Sequence, residues 1–302
     1  SPKMQTKTLK HGVRALTGGK GTALLLLPGW PQTAEAFAEL FPYLSPHFEV
    51  WVLDPPGLGD SAPSAEGYDT RTISRLLAES IEASIPDAYH IVGHDIGAWI
   101  AFAWAVQFPD RLRSLTLLDS AVPGHAPSMT FPLPAPVNEK LWQFSFNSLP
   151  ELPEILTQGR ERQLFDWLFD RKSQHPERIT QAKRDRYVEY YSRPGAMTQG
   201  FEYYRAVATS SAQNKEPGSK FIDMPILALG GQHAVGWGLK LSMEGLAHNV
   251  GGGEIADCGH YIPEEQPEEL AKRMLEFLQG VWCSIELYKW RVELAVDAEV
   301  DT

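Results

Sequence analysis

Residues 91–97 read Ile91-Val92-Gly93-His94-Asp95-Ile96-Gly97, and they decide how the rest of the chain is read. An apolar run ends here and a helical pattern begins, with Trp99, Ile100, Ala103 and Trp104 recurring at helical spacing behind Asp95. Glycines at 93 and 97 flank the acid. A turn of the form Gly-x-nucleophile-x-Gly joins a strand to a helix through a strained bend and pushes one side chain into a pocket. Serine is usual in that slot, but here it holds a carboxylate. A carboxylate attacks carbon that bears a leaving group, and the resulting ester must then be hydrolysed. The residue type points to epoxide opening or carbon–halogen cleavage rather than ordinary ester hydrolysis.

Working outward, residues 22–27, 48–53, 89–93, 114–119, 225–230 and 254–257 are short apolar runs with little polar alternation. That pattern suits strands buried on both faces of a parallel sheet. Helical patterns over 34–40, 71–84, 98–107 and 267–278 lie between them, an α/β order with right-handed crossovers onto a mostly parallel sheet. The alternation stops over 122–220, a stretch rich in aromatics and proline with helical runs over 153–169, 178–191 and 196–208. It reads as a helical cap inserted into a discontinuous core of residues 1–121 and 221–302. A cap over the carboxyl ends of the strands roofs a pocket where such sheets bind ligands. Tyr288-Lys289-Trp290-Arg291-Val292-Glu293-Leu294 alternates apolar and charged residues. It reads either as an edge strand or pairing surface, which would make a homodimer, or as a frayed tail.

Composition bounds the partners. The 302 residues are 43% hydrophobic with a formal net charge of -11, so the chain carries a sizeable core and an acidic surface. That surface argues against nucleic acid or an anionic membrane as partner. Cys258 and Cys283 form neither a disulfide framework nor a metal spacing, and no metal or cofactor is implied. No apolar stretch nears the roughly 18 residues that span a bilayer. A cytoplasmic location is the expectation, with a removed secretion signal left open by the Ser1-Pro2-Lys3 start.

Asp95 needs a base for the second step, an orienter for that base, and donors for the oxyanion. His260, in Asp257-Cys258-Gly259-His260-Tyr261, follows the last strand and so lies on the elbow's rim of the sheet. It is read as the base that activates water. His94 is adjacent to Asp95, points elsewhere and reads as structural. Asp119, in Leu117-Leu118-Asp119-Ser120, ends the strand before the cap and is read as the partner that fixes the His260 tautomer. The alternative reading of Asp119 is a loop-closing or helix-capping acid. In Leu26-Leu27-Pro28-Gly29-Trp30-Pro31 the Trp30 N–H is free to donate, and the Ile96 N–H opens the elbow helix as a second donor. The Trp30-Pro31 bond is of the kind that tolerates a cis form.

These residues together resemble the α/β-hydrolase family, in its epoxide hydrolase and haloacid or haloalkane dehalogenase branch. The resemblance runs from about Lys7 to Gly280 and rests on Pro28-Gly29-Trp30-Pro31, Asp54-Pro55-Pro56-Gly57-Leu58-Gly59-Asp60-Ser61, the Asp95 elbow and Cys258-Gly259-His260. It implies the α/β-hydrolase fold with a helical cap and cofactor-independent chemistry. Two departures stand out. Pro28 replaces the family's His, and the acid usual after the strand ending at Gly230 is missing from Leu229-Gly230-Gly231-Gln232-His233-Ala234. Asp119 fits the subset that carries it before the cap. The family's epoxide hydrolases use two cap donors. Phe201-Glu202-Tyr203-Tyr204-Arg205 is similar to the second, which makes Tyr204 the acid. The first falls in Leu141-Trp142-Gln143-Phe144-Ser145-Phe146, where Trp142 or Gln143 hydrogen-bonds the substrate without delivering a proton. Trp142, Gln143, Tyr203 and Trp99 are the expected substrate contacts.

The leading reading is an epoxide hydrolase making a vicinal diol from a small apolar or aromatic epoxide through an ester on Asp95. A dehalogenase uses the same nucleophile, with Trp142 and Tyr204 cradling halide. The haloacid enzymes resemble one another in arginines near the elbow, and Ile96 and Trp99 stand there instead. A third reading is a biosynthetic catalyst of this fold acting on a bulky epoxide or polyketide-like substrate.

Overall fold

The apolar runs assemble into one eight-stranded sheet in the computed structural model, which describes residues 3–216 and 221–281. The strands are β1 (Gln5–Leu9), β2 (Val13–Gly18), β3 (Ala23–Leu27), β4 (Glu49–Leu53), β5 (Tyr89–His94), β6 (Leu112–Leu118), β7 (Ile226–Gly231) and β8 (Val250–Ile255). They lie in the order β1-β2-β4-β3-β5-β6-β7-β8. β2 pairs antiparallel with β1 and β4, and every other pairing is parallel. Leu25, Leu27, Ile91, Leu115 and Leu117 enter one apolar cluster, while Leu24, Leu26, Val92 and Leu118 enter the other. A strand covered on both faces has no wet side, so these segments read as unbroken apolar runs.

Two strands, β1 and β2, escape that pattern. β1 is a polar, exposed edge strand whose Lys7 discourages further pairing. β2 is interrupted by Arg14, which is buried because its guanidinium is paired to Asp54 and Glu35. β8 begins before the expected 254 because Gly251-Gly252-Gly253 has no side chains to show a pattern.

The helices are α1 (Phe41–Leu44), α2 (Thr70–Ile81), α3 (Ile96–Gln107), α4 (Ala135–Asn147), α5 (Leu152–Thr157), α6 (Glu161–Lys172), α7 (Gln181–Tyr191), α8 (Ala196–Arg205), α9 (Val207–Asn214), α10 (Gly238–Glu244) and α11 (Ile262–Glu265), followed by a helix over 267–281. α2 starts where the Asp69 carboxylate accepts the Thr72 N–H at 3.1 Å, a side-chain cap. α3 buries ten of its twelve residues, the mark of a helix enclosed on all sides. The helix expected over 34–40 is a 3-10 turn, Ala34–Phe37, leading into α1. Among the described residues, six helices, α4 to α9, lie between β6 and β7 with no strand among them. The run expected over 153–169 divides into α5 and α6, and that over 196–208 into α8 and α9. Among the described residues no helix is long and apolar enough to cross a membrane. The 288–294 pattern and Cys283 lie outside the described residues.

Candidate active site

Asp95 sits between β5 and α3 with φ 56 and ψ -123, a conformation that side-chain-bearing residues hold only under constraint. The constraint is the close crossing of α3 over the sheet: a Cβ at Gly97 would stand 2.1 Å from the Leu27 carbonyl oxygen. The bend leaves the Asp95 side chain at the carboxyl ends of β3 and β5. A Cβ at Gly29 would stand 2.4 Å from Asp95 Oδ2, so only glycine lets the loop after β3 close on the carboxylate. That loop aims the Trp30 N–H at Oδ2, 3.0 Å away, and the Ile96 N–H also hydrogen-bonds the carboxylate. The Trp30–Pro31 bond is cis.

The other oxygen, Oδ1, lies 3.3 Å from His260 Nε2. His260 Nδ1 is 2.5 Å from Asp119 Oδ2. Asp119, at the end of β6, is buried and spends its second oxygen on the Gly231 and Val235 N–H groups, each at 2.9 Å. The acid therefore comes from the end of β6 but is gripped by the turn after β7, its neighbour in the sheet. His94 packs on the His260 ring, centroids 4.7 Å apart, and its Nε2–H donates to the His260 carbonyl at 2.7 Å.

Charge follows from this packing. Burial disfavours the His260 imidazolium, but the hydrogen bonds and charges of Asp119 and Asp95 outweigh it and raise its pKa to about 9. Burial likewise pushes Asp95 up, and the His260 hydrogen bond and charge bring it below its ordinary value. Burial beside the His260 charge drops His94 to about 4, so it stays neutral.

The loop bearing His260 is fixed to the helical insert. The His260 N–H donates to the Lys172 carbonyl at 2.8 Å. Glu265, fully buried, accepts the Gly259 and Tyr261 N–H groups on that loop and the Gln174 and His175 N–H groups just past α6.

Above the carboxylate, the Tyr204 ring stands edge-on to Trp30, Trp99 and Phe144 at 5.7, 5.7 and 5.8 Å. Burial and then the Asp95 charge push the Tyr204 hydroxyl well above its ordinary range, so it stays a proton donor. Tyr203 does not join this group: its hydroxyl donates to the Pro56 carbonyl at 2.6 Å and its ring meets Tyr68. Trp142 turns onto Phe146 and Trp167, beside an outer cavity of about 420 Å³ lined also by Ala135, Asn138 and Arg171. Gln143 is buried on the inner side of α4. Sequence reasoning missed Asn147, buried one turn beyond Gln143, although helical spacing from Gln143 would have found it. It also missed Lys172, whose amine donates to the Lys140 carbonyl at 3.0 Å. Partial burial lowers the Lys172 pKa to about 8 against the pull of Asp95 and Asp119. Among the described residues no group of His, Cys, Asp and Glu has the arrangement of a metal site.

Residues 22–267 match the alpha/beta hydrolase fold family. A soluble epoxide hydrolase from Corynebacterium sp. (strain C12) is 28% identical over 264 residues, covering 87% of this chain and 92% of that enzyme. A fluoroacetate dehalogenase from Burkholderia sp. is 33% identical over 112 residues, 35% of this chain and 37% of that enzyme. Among solved structures, Cfl2 from Burkholderia cenocepacia superposes with a TM-score of 0.85 at 34% identity, covering 91% of this chain and 95% of that one. The epoxide hydrolase CorEH superposes with a TM-score of 0.82 at 26% identity, covering 93% of this chain and 100% of that one.

Proposed function

The chain belongs to the alpha/beta hydrolase fold family and is an epoxide hydrolase-like hydrolase, and from that premise we propose that it opens an epoxide to a vicinal diol through an alkyl ester on Asp95. The observation that carries the reading is the pairing of His260 with both carboxylates. Asp95 Oδ1 faces His260, while Oδ2 accepts the Trp30 N–H and the Ile96 N–H lies against the same carboxylate.

In the first step Oδ1 attacks an oxirane carbon, the C–O bond breaks, and the departing oxygen takes the Tyr204 proton. The products are a 2-hydroxyalkyl ester of Asp95 and a tyrosinate. Esterification removes one of the two anions that raise the His260 pKa, so the imidazolium gives up its proton, which returns to Tyr204 through solvent. His260 is now a neutral base.

In the second step His260 takes a proton from water and the hydroxide adds to the Asp95 carbonyl carbon. The oxyanion forms at Oδ2, against the two N–H groups. Collapse expels the alkoxide, which takes the proton of the new carboxyl group. The cycle ends with Asp95 anionic, His260 protonated, Tyr204 neutral and diol released. Asp119 holds the imidazolium and its tautomer throughout. The insert acts as a cap, and Trp30, Trp99 and Phe144 line an apolar or aromatic substrate.

In His260→Gln the ester should persist, and intact-protein mass after epoxide addition should rise by the mass of the substrate. A single turnover in heavy-oxygen water should label Asp95 and leave the diol unlabelled. Label in the diol alone would remove the covalent step. Dehalogenation by the same nucleophile is the second reading, supported by the partial likeness to the fluoroacetate enzyme. Uncharged Ile96 and Trp99 give a haloacid carboxylate no cation at those positions, and halide release from haloalkanes and haloacids checks it.

A further inference from the structure

α4 buries two of its thirteen residues, Gln143 and Asn147, and both are amides. They lie one turn apart on the face turned toward the site, with Phe144 of the same helix against Tyr204 and Trp99. Asn147 is 0% exposed and Gln143 6%. Among the described residues, Asn147 Oδ1, Asn147 Nδ2 and Gln143 Oε1 have no hydrogen-bond partner in the protein. The Asn147 amide lies beside the Tyr204 hydroxyl, near enough to favour its ionised form slightly against the larger push of burial, without meeting it in hydrogen-bond geometry. A buried amide with nothing to bond is destabilising, and apolar residues are what a helix normally turns inward. Unpaired buried polar atoms beside a candidate catalytic centre call for an explanation, and a ligand's hydrogen bonds supply one.

The chemistry of the ligand follows from the unmet atoms. Two are carbonyl oxygens and need an O–H or N–H donor; one is an amino group and needs an acceptor. An unsubstituted oxirane offers a single acceptor oxygen, which the Tyr204 hydroxyl takes, and no donor. A carboxylate offers acceptors only and carries the same sign of charge as Asp95. A hydroxyl gives and accepts a hydrogen bond without charge.

We propose that Asn147 and Gln143 form a recognition slot for a hydroxyl carried beside the oxirane, so that the preferred substrates are epoxy alcohols with an apolar or aromatic body. This rests on the epoxide-opening reading and narrows its substrate class. The slot lies beside the proton donor, so the hydroxyl belongs on a carbon next to the ring.

The test compares trans-3-phenylglycidol with trans-β-methylstyrene oxide, which lacks only the hydroxyl. Wild-type enzyme should prefer the alcohol by about 10- to 100-fold in kcat/KM, the value of a hydrogen-bonding group that the site otherwise leaves unpaired. Asn147→Leu should collapse that ratio chiefly through KM and raise Tm, because it removes an unpaired buried amide. Equal kcat/KM for the two compounds on the wild type overturns the slot, whatever the variant does. A lowered Tm with both substrates slowed alike in Asn147→Leu also overturns it, since that is the behaviour of a residue that only supports the fold. If neither epoxide is opened, the proposed function fails, and the slot is read from ligand-induced Tm shifts of the wild type. A larger shift with the alcohol supports it, and equal shifts overturn it.

Discussion

Two groups of buried or half-buried carboxylates organise this molecule, and each surrounds one cation. In the first, Arg14 Nε donates to Asp54 at 2.5 Å and its two terminal nitrogens to Glu35 at 3.0 and 2.9 Å. Asp54 also accepts the Ala34 and Asp60 N–H groups at 2.8 and 3.0 Å. Burial would raise Glu35, but Arg14 and Thr33 hold it near 2. In the second, His260 stands between Asp95 and Asp119. The layout is the same and the cation differs. A guanidinium does not release its proton at any working pH, whereas an imidazolium does once a neighbouring charge is lost. The first cluster therefore holds loops in place, and the second, in the proposed mechanism, changes charge.

Substitutions break or sharpen that contrast. Asp95→Ala removes the proposed nucleophile and should lower kcat by at least about 10⁵-fold on folded enzyme, the scale seen when a covalent catalyst is deleted. Asp119→Asn keeps the shape and an acceptor for the Gly231 and Val235 amides. It should cost about 10³- to 10⁴-fold, with alkyl-enzyme accumulating in rapid-quench mass spectra because the loss falls on hydrolysis. Arg14→Met should cost about 3–5 kcal/mol in urea unfolding, since it strands the buried Asp54 carboxylate and the half-buried Glu35, while the folded fraction keeps its kcat. If Arg14→Met slowed turnover as Asp119→Asn does, the division between a holding cluster and a reacting one would collapse. Tyr204→Phe should cost on the order of 10²-fold, with a smaller burst of alkyl-enzyme because the loss falls on ring opening.

The smallest effect is a pH dependence. The His260 pKa is raised in the fold to about 9. Its stabilisation is thus complete below the ordinary histidine value and lost as pH rises through about 9. Tm measured across that range should fall in the wild type and in Arg14→Met, and this limb should vanish in His260→Gln.

The parallel strands were legible because burial on both faces removes every polar interruption, and the elbow because its glycines and its acid are local. β1, β2 and β8 were not: one is polar at an edge, one carries a paired arginine, and one runs through three glycines. Asp119 was found by its place at the end of a strand, although nothing local shows that the turn after β7 would hold it. The insert was read least well, and for a geometric reason. Tyr203 and Tyr204 are consecutive on α8, and successive helical residues point about 100° apart. Both cannot face Asp95, and Tyr203 meets Pro56 instead. The same rotation divides Trp142 from Gln143 on α4, while the fourfold step from Gln143 leads to Asn147.

Glu265 has a consequence for how this protein tolerates exchange of parts. Its carboxylate ties the turn over 172–175 to the loop that bears His260, and the Lys172 carbonyl adds a further tie. An insert transplanted from a relative must therefore bring a matching turn at this seam, or His260 shifts with it. The end of α6 is thus the point at which the insert and the His260 loop must change together.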